Sequence, residues 1–363
     1  MKKIMLCIVS TIFLSGCWDS RNIEELSLLT GTGIDLGKKK NEIDFTAQTL
    51  LPSGADKSPF TYLNTTVTSK TIHSGLRDVA LYIKGVNADH QRIILLNEKV
   101  VKKNHIIVFL SQFLRDNDTR RSCLIFITKL PTTTILDYSK GSTIPSNELF
   151  ELQKNNLLTD KLLPPLNIGT VFNHIESNRN FVVPLVTLKN NRLVLDGGAV
   201  IKNGKVIGNI NTSEIEALNW IDGEVKGGII EARKNKQAIS VEILKKVSRT
   251  VETKVDQGQL KINIFETYTG RLSEGWDSKA KGSKKYINSI EKIAEKQVEK
   301  DVEKLIKKMQ KEYKTNISSL GEMVRIQHPK FWEKNKENWD EIFSSATIKF
   351  NLKMNIFDTG ALR

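Results

Sequence analysis

The residue best prepared for chemistry in this sequence is Cys17, the last of the run Leu14-Ser15-Gly16-Cys17. Its thiol follows an apolar residue and two small ones, the kind of run a narrow peptidase cleft admits, and sulfur is a good nucleophile once ionised. That order suits alkylation of the sulfur by a diacylglyceryl group, cleavage before Cys17, and acylation of the freed amine. No other set of reactive residues converges. His73, His90, His105, His174 and His328 are scattered, and none has a second ligand at metal spacing. There is no His-Glu-x-x-His, Cys-x-x-Cys or Gly-x-Ser-x-Gly pattern. Gly31-x-Gly33 lacks the third glycine of a dinucleotide loop, and Gly204-Lys205 is followed by Val206 where a phosphate loop needs Ser or Thr. Glu24 and Glu25 are adjacent and would not face each other on a helix. The expectation is a protein that is not an enzyme and holds no metal and no cofactor.

The residues ahead of Cys17 say how it would reach its modification. Lys2 and Lys3 form a positive n-region, and residues 4–14 are apolar apart from Ser10 and Thr11. Eleven such residues can target a chain, whereas a helix spanning the hydrocarbon core needs roughly twenty. Residues 1–16 therefore read as a cleaved lipoprotein signal peptide and 17–26 as a lipidated tether. Two acyl chains, at ~0.8 kcal/mol per buried methylene, anchor stably where one binds only marginally.

Composition bounds what hangs from that anchor. The chain has 363 residues, too many for one compact core, and 39% are hydrophobic, enough for packed ones. Of its three cysteines, Cys7 leaves with the signal and Cys17 is acylated, so Cys123 has no intramolecular disulfide partner. Cys123 sits in the apolar run ending Leu124-Ile125-Phe126-Ile127 and reads as a small buried hydrophobe. The net charge of +14 falls to +12 when Lys2 and Lys3 are removed. In a cytoplasmic protein this balance would suggest a nucleic-acid partner, and export argues against one. The balance fits either an anionic membrane surface or solvated helix faces.

Periodicity divides the body. Ile43, Phe45 and Ala47 alternate as in a half-buried strand, and Leu76, Val79, Ala80 and Ile83 have helical spacing. A strand is expected at 92–96, a helix at 107–114, a strand around Ile125 and a closing strand at 182–188, so 27–190 reads as an N-terminal α+β domain. Asn203-Gly204 between apolar runs predicts a type I′ hairpin, and Ser213 with Glu216 has capping-box spacing for a helix through Trp220. Residues 191–235 thus read as a small glycine-rich middle domain. A C-terminal α+β domain follows at 236–363, with a turn at Asp256-Gln257-Gly258 and strands that look antiparallel. Between 287 and 313, Ile287, Ile290, Ala294, Val298, Val302, Leu305, Met309 and Tyr313 form one apolar stripe on a helix. That stripe is either core under the last sheet or a docking face for another subunit. Ile348, Phe350, Leu352, Met354 and Ile356 mark one face of a final strand. The fold class is α+β, multidomain, with mostly antiparallel or mixed sheets.

Cys17-Trp18-Asp19-x-Arg21, Leu26 and Gly31-x-Gly33-Ile34-Asp35 resemble the start of the Ger(x)C family, the lipoprotein C subunits of spore germinant receptors. The resemblance continues through Phe113-Leu114-Arg115-Asp116, Arg120, Gly197-Gly198-Ala199-Val200, Gly208, Trp220, Pro329-x-x-Trp332 and Trp339. Asn22 departs from the Glu usual in the family, and Ser319-Leu320-Gly321-Glu322 from a Phe-Gly-x-Gly-like segment. The resemblance implies three α+β domains and a non-catalytic subunit on the outer face of the inner spore membrane. It also implies two polytopic membrane subunits as partners, one like an amino-acid permease, in a nutrient sensor required for germination. The lipid would raise the effective concentration of the body near those partners. Trp18, Asp19 and Arg21 are then either membrane or partner contacts, where a tryptophan ring suits the interface, or an indifferent spacer. The rival expectation is a solute-binding lipoprotein of a transporter, which would show two doubly wound lobes.

Overall fold

The computed structural model describes residues 26–52, 60–116, 119–138, 143–234, 237–275 and 283–358. Two sheets organise them. The first comprises β1 (Ser27–Leu36), β2 (Ile43–Pro52), β3 (Phe60–Ser69), β4 (Val86–Asn87), β5 (Ile93–Asn97), β6 (Leu124–Thr128), β7 (Phe181–Lys189), β8 (Arg192–Lys202) and β9 (Lys205–Ile210). Their spatial order is β3-β2-β1-β5-β6-β7-β8-β9, with β4 beside β1. The second sheet is β10 (Gly228–Lys234), β11 (Gln237–Asp256), β12 (Gln259–Gly275) and β13 (Thr347–Asp358), in sequence order. The fold is α+β.

At the centre of the large sheet, β1, β5, β6 and β7 run parallel. Parallel strands need crossovers and end up covered on both faces, so their sequences are apolar throughout. Ile93–Asn97 and Leu124–Thr128 are buried along their whole length. Ile94, Leu96, Ile125 and Ile127 enter one core with α1 (Ile72–Val79), α2 (Glu98–Lys103) and α3 (Ile107–Arg115). Ile93, Leu95, Leu124 and Phe126 enter another, on the side of α4 (Thr132–Leu136) and α5 (Pro145–Gln153). A further helix, α6 (Ile168–Glu176), adds Ile168 and Val171 to the first core. Cys123 is 1% exposed, as its run suggested.

The boundary expected at 190/191 falls on a two-residue turn inside this sheet. Asn190 and Asn191 have φ of 49° and 52°, which asparagine tolerates, and they join β7 to β8 as a tight hairpin. Residues 191–235 divide their strands between the two sheets: β8 and β9 extend the large one, and β10 begins the small one. The strand expected to close the first domain, β7, is an interior strand for the same reason. Asn203-Gly204 forms its hairpin with φ of 48° and 71°. The next helix, α7 (Thr212–Asp222), starts two residues earlier than expected: Asn211 and Glu214, not Ser213 and Glu216, make the reciprocal capping bonds.

In the small sheet β11 and β12 form a long hairpin through Gln257-Gly258, but β13 lies parallel to β12. The antiparallel expectation fails there because some seventy residues separate the two strands, enough for a crossover. That connection holds α8 (Lys284–Lys308) with a closing π-turn (Met309–Tyr313), α9 (Leu320–Gln327), α10 (Pro329–Asn335) and α11 (Trp339–Ser345). Ile290, Ala294 and Val302 of α8 are fully buried, with Leu305 at 1%. The stripe is core.

One contact between α8 and β13 repeats. Glu291, Glu295 and Glu299 accept from the backbone N–H of Ile356, Met354 and Leu352 at 2.8, 2.9 and 3.1 Å. Four helical residues rise about 6 Å and two strand residues about 6.6 Å, so carboxylates at i, i+4 and i+8 meet alternate amides of a strand. They occupy an edge that would otherwise invite pairing with another chain.

Candidate functional site

Leu14, Ser15, Gly16, Cys17, Trp18, Asp19, Arg21 and Asn22 lie outside the described residues. The structure does show where the chain they belong to joins the body. β1 begins at Ser27, whose N–H donates to the Gly85 carbonyl at 2.9 Å, and Ser27 and Leu28 pair with Val86 and Asn87 of β4. β1 is an interior strand, so the chain enters the body at the middle of the large sheet.

Several of the motif residues within the body are packing devices. A Cβ on Gly33 would stand 2.3 Å from Thr132 Oγ1, and one on Gly31 would stand 2.8 Å from Ser146 Cβ. Bare Cα atoms at both points let α4 and α5 lie directly on β1. Asp35 accepts from the N–H and hydroxyl of Thr132 at 2.9 and 2.5 Å, which fixes the first turn of α4. Behind it Ser146 Oγ lies 2.9 Å from Thr30 Oγ1, the Ser146 N–H donates to Gln48 Oε1 at 2.9 Å, and Gln48 Nε2 donates to the Leu136 carbonyl at 2.8 Å. Phe113 is 1% exposed, in the first core. Gly197, at φ 86°, and Gly198 let β8 approach Ile210 and Val182. Trp220 stacks edge-on against Tyr268 at 4.8 Å, and Trp332 packs on Trp339 at 4.9 Å. The departing segment at 319–322 makes an internal contact: the Ser319 N–H and hydroxyl donate to Asp222 at 2.7 and 2.9 Å.

The junction of the two sheets is a polar clamp that sequence reading missed. Asp340, just inside α11, accepts from Lys202 Nζ at 3.0 Å, Thr315 Oγ1 at 3.0 Å and Asn180 Nδ2 at 3.2 Å. Tyr313 Oη donates to the Asn209 carbonyl at 2.7 Å while its ring rests on Gly208. Asp340 lies more than 100 positions from Lys202 and Asn180, as Tyr313 does from Asn209, so no local pattern announces the clamp.

Among the described residues no group of three His, Cys, Asp or Glu side chains is placed to hold a metal. Burial takes His174 down to about 4, with Arg179 adding to the effect, and pushes the Cys123 thiol up, so both stay neutral. A cavity of about 180 Å3 between α7, β10 and α8 is lined by Glu216, Glu231, Asp301 and Lys161 among others. Burial, and then the charge of Asp160, push Glu216 up to about 7.

Both halves of the chain match families of known proteins. Residues 19–188 match the spore germination protein N-terminal domain, and residues 196–360 match the spore germination B3/GerAC-like C-terminal domain. The chain belongs to this spore germination family, the Ger(x)C family its motifs resemble. Within it the chain is 35% identical to spore germination protein A3 of Bacillus subtilis (strain 168) over 371 residues, covering 99% of this chain and 98% of that protein. It is 30% identical to spore germination protein B3 of the same organism with the same coverage. The crystal structure of the GerBC protein superposes with a TM-score of 0.66 at 27% identity, covering 93% of this chain and all of that one. The gap between the two matched regions, 188–196, holds the β7–β8 hairpin, so the large sheet takes strands from both.

Proposed function

We propose that this chain is a lipid-anchored, non-catalytic subunit of a nutrient germinant receptor, held on the outer face of the inner spore membrane through Cys17. There it works with two polytopic membrane subunits. The observation that carries the reading is Leu14-Ser15-Gly16-Cys17 at the head of a chain that matches spore germination proteins over nearly its whole length. Among the described residues no helix is long and apolar enough to cross a membrane. Trp18, Asp19 and Arg21 then sit between the acyl chains and Ser27, at headgroup level.

The parallel run β1-β5-β6-β7 is the one feature that favours a solute-binding lipoprotein. A second doubly wound lobe would complete that reading, and the second sheet is instead a hairpin flanked by β10 and β13. Replacing the anchor tests the proposal. Spores carrying Cys17→Ala should lose the protein from washed membranes and respond poorly to nutrients. Normal germination, with the variant still sedimenting after a high-salt wash, would overturn it.

A further inference from the structure

The tether is short compared with the body it holds. Nine steps of chain separate Cys17 from Leu26, and at full stretch they span about 30 Å. A compact body of this size has a radius of gyration of about 20 Å and is therefore about 50 Å across. A lipid at Cys17 cannot reach round such a body, so the bilayer must lie on the side where β1 begins.

That side carries an unusual pair of side chains. Leu81 and Tyr82, in the turn between α1 and β4, are 80% and 70% exposed. The turn that presents them is well held. The N–H groups of Leu81, Tyr82 and Ile83 donate to the carbonyls of Asp78, Val79 and Val79 at 3.0, 3.0 and 3.1 Å, and Ile83, the next residue, is 5% exposed and in the core. Two residues on, the Gly85 carbonyl accepts from Ser27, the second described residue of the chain. Lys84, also exposed, completes the run. An exposed leucine, a tyrosine and a lysine on a fixed turn match the chemistry of a bilayer surface: acyl chains for the leucine, the interfacial layer for the ring, anionic headgroups for the ammonium. We infer that the Leu81-Tyr82-Ile83-Lys84 turn is a membrane-contact point that seats the body on the lipid surface beside its own anchor.

This inference rests on the lipid-anchor reading, and one experiment separates their failures. The lipidated full chain carrying Tyr82→Cys, or Lys39→Cys in the β1–β2 hairpin at the far end of β1, takes a thiol-reactive fluorophore. Cys123 is buried and does not compete. Each is reconstituted into phosphatidylglycerol-containing vesicles with and without brominated acyl chains. The label at position 82 should be quenched several-fold more than that at position 39. Equal quenching at the two sites with the protein bound overturns the contact and leaves the anchor standing. Quenching at position 82 that disappears when the polytopic subunits are co-reconstituted assigns the turn to a protein partner, and the lipid contact is again overturned. Failure of the full chain to bind vesicles overturns the anchor and the contact together.

Discussion

The two sheets of this molecule bury their apolar surface in opposite ways. The large sheet is covered on both faces around β5 and β6, and its helices touch it at points where a side chain is missing, Gly31 and Gly33, and where polar groups meet across long stretches of sequence. The small sheet has one covered face. Its core is organised by a single 25-residue helix, while Lys349, Asn351, Lys353 and Phe265 remain exposed on the other side. One region therefore depends on volume that must stay empty. The other depends on volume that must stay filled.

Substitutions of opposite kinds should break each region, and the largest effect is expected in the small sheet. Leu305→Ala leaves a cavity in the α8 core and should cost roughly 2–5 kcal/mol in thermal or denaturant unfolding. An unchanged transition would return the α8 stripe to the role of docking face. The matching insertion in the large sheet is Gly33→Ala. Its methyl would meet Thr132 at the head of α4, a backbone-anchored residue with little room to yield, and a cost of about 1–3 kcal/mol is expected. A neutral result would show that α4 can lift from β1.

A smaller effect should appear only as a pH dependence. The folded protein holds Glu216 at about 7, above its ordinary carboxylate value, so between those values the folded state binds more protons than the unfolded one. Its contribution is fully present below the unfolded value and is lost as pH rises through about 7. Glu216→Gln should therefore match the parent protein near pH 4.5 and gain on it as pH rises toward 8, read as a widening difference in Tm. A constant difference across that range would mean that Glu216 ionises normally.

The same contrast explains what the sequence disclosed. Local periodicity carried the small sheet: the α8 stripe, the Ile348-to-Ile356 alternation and the Gln257-Gly258 turn all appear where their spacing put them. The strand β13 was found but its direction was not, because direction depends on the crossover and not on alternation. In the large sheet single strands were legible, while the organisation was hidden in Asn190-Asn191. That pair was read as a boundary, though both residues tolerate the left-handed backbone that a tight hairpin needs. The Glu291, Glu295 and Glu299 ladder looks like an ordinary solvated helix face until a strand edge is laid beside it. The clamp at Asp340 joins residues with no sequence relation at all. Motif residues such as Gly33 and Asp35 were recognisable by type, and their packing role emerged only with α4 against the strand.

The proposed function requires that a lipid on Cys17 hold this body to a membrane. Mass spectrometry of the N-terminal peptide from protein extracted out of membranes tests it most directly. Residues 1–16 should be absent and Cys17 should carry a thioether-linked diacylglyceryl group. An N-terminal peptide that begins at Met1, or one that begins at an unmodified Cys17, would contradict it.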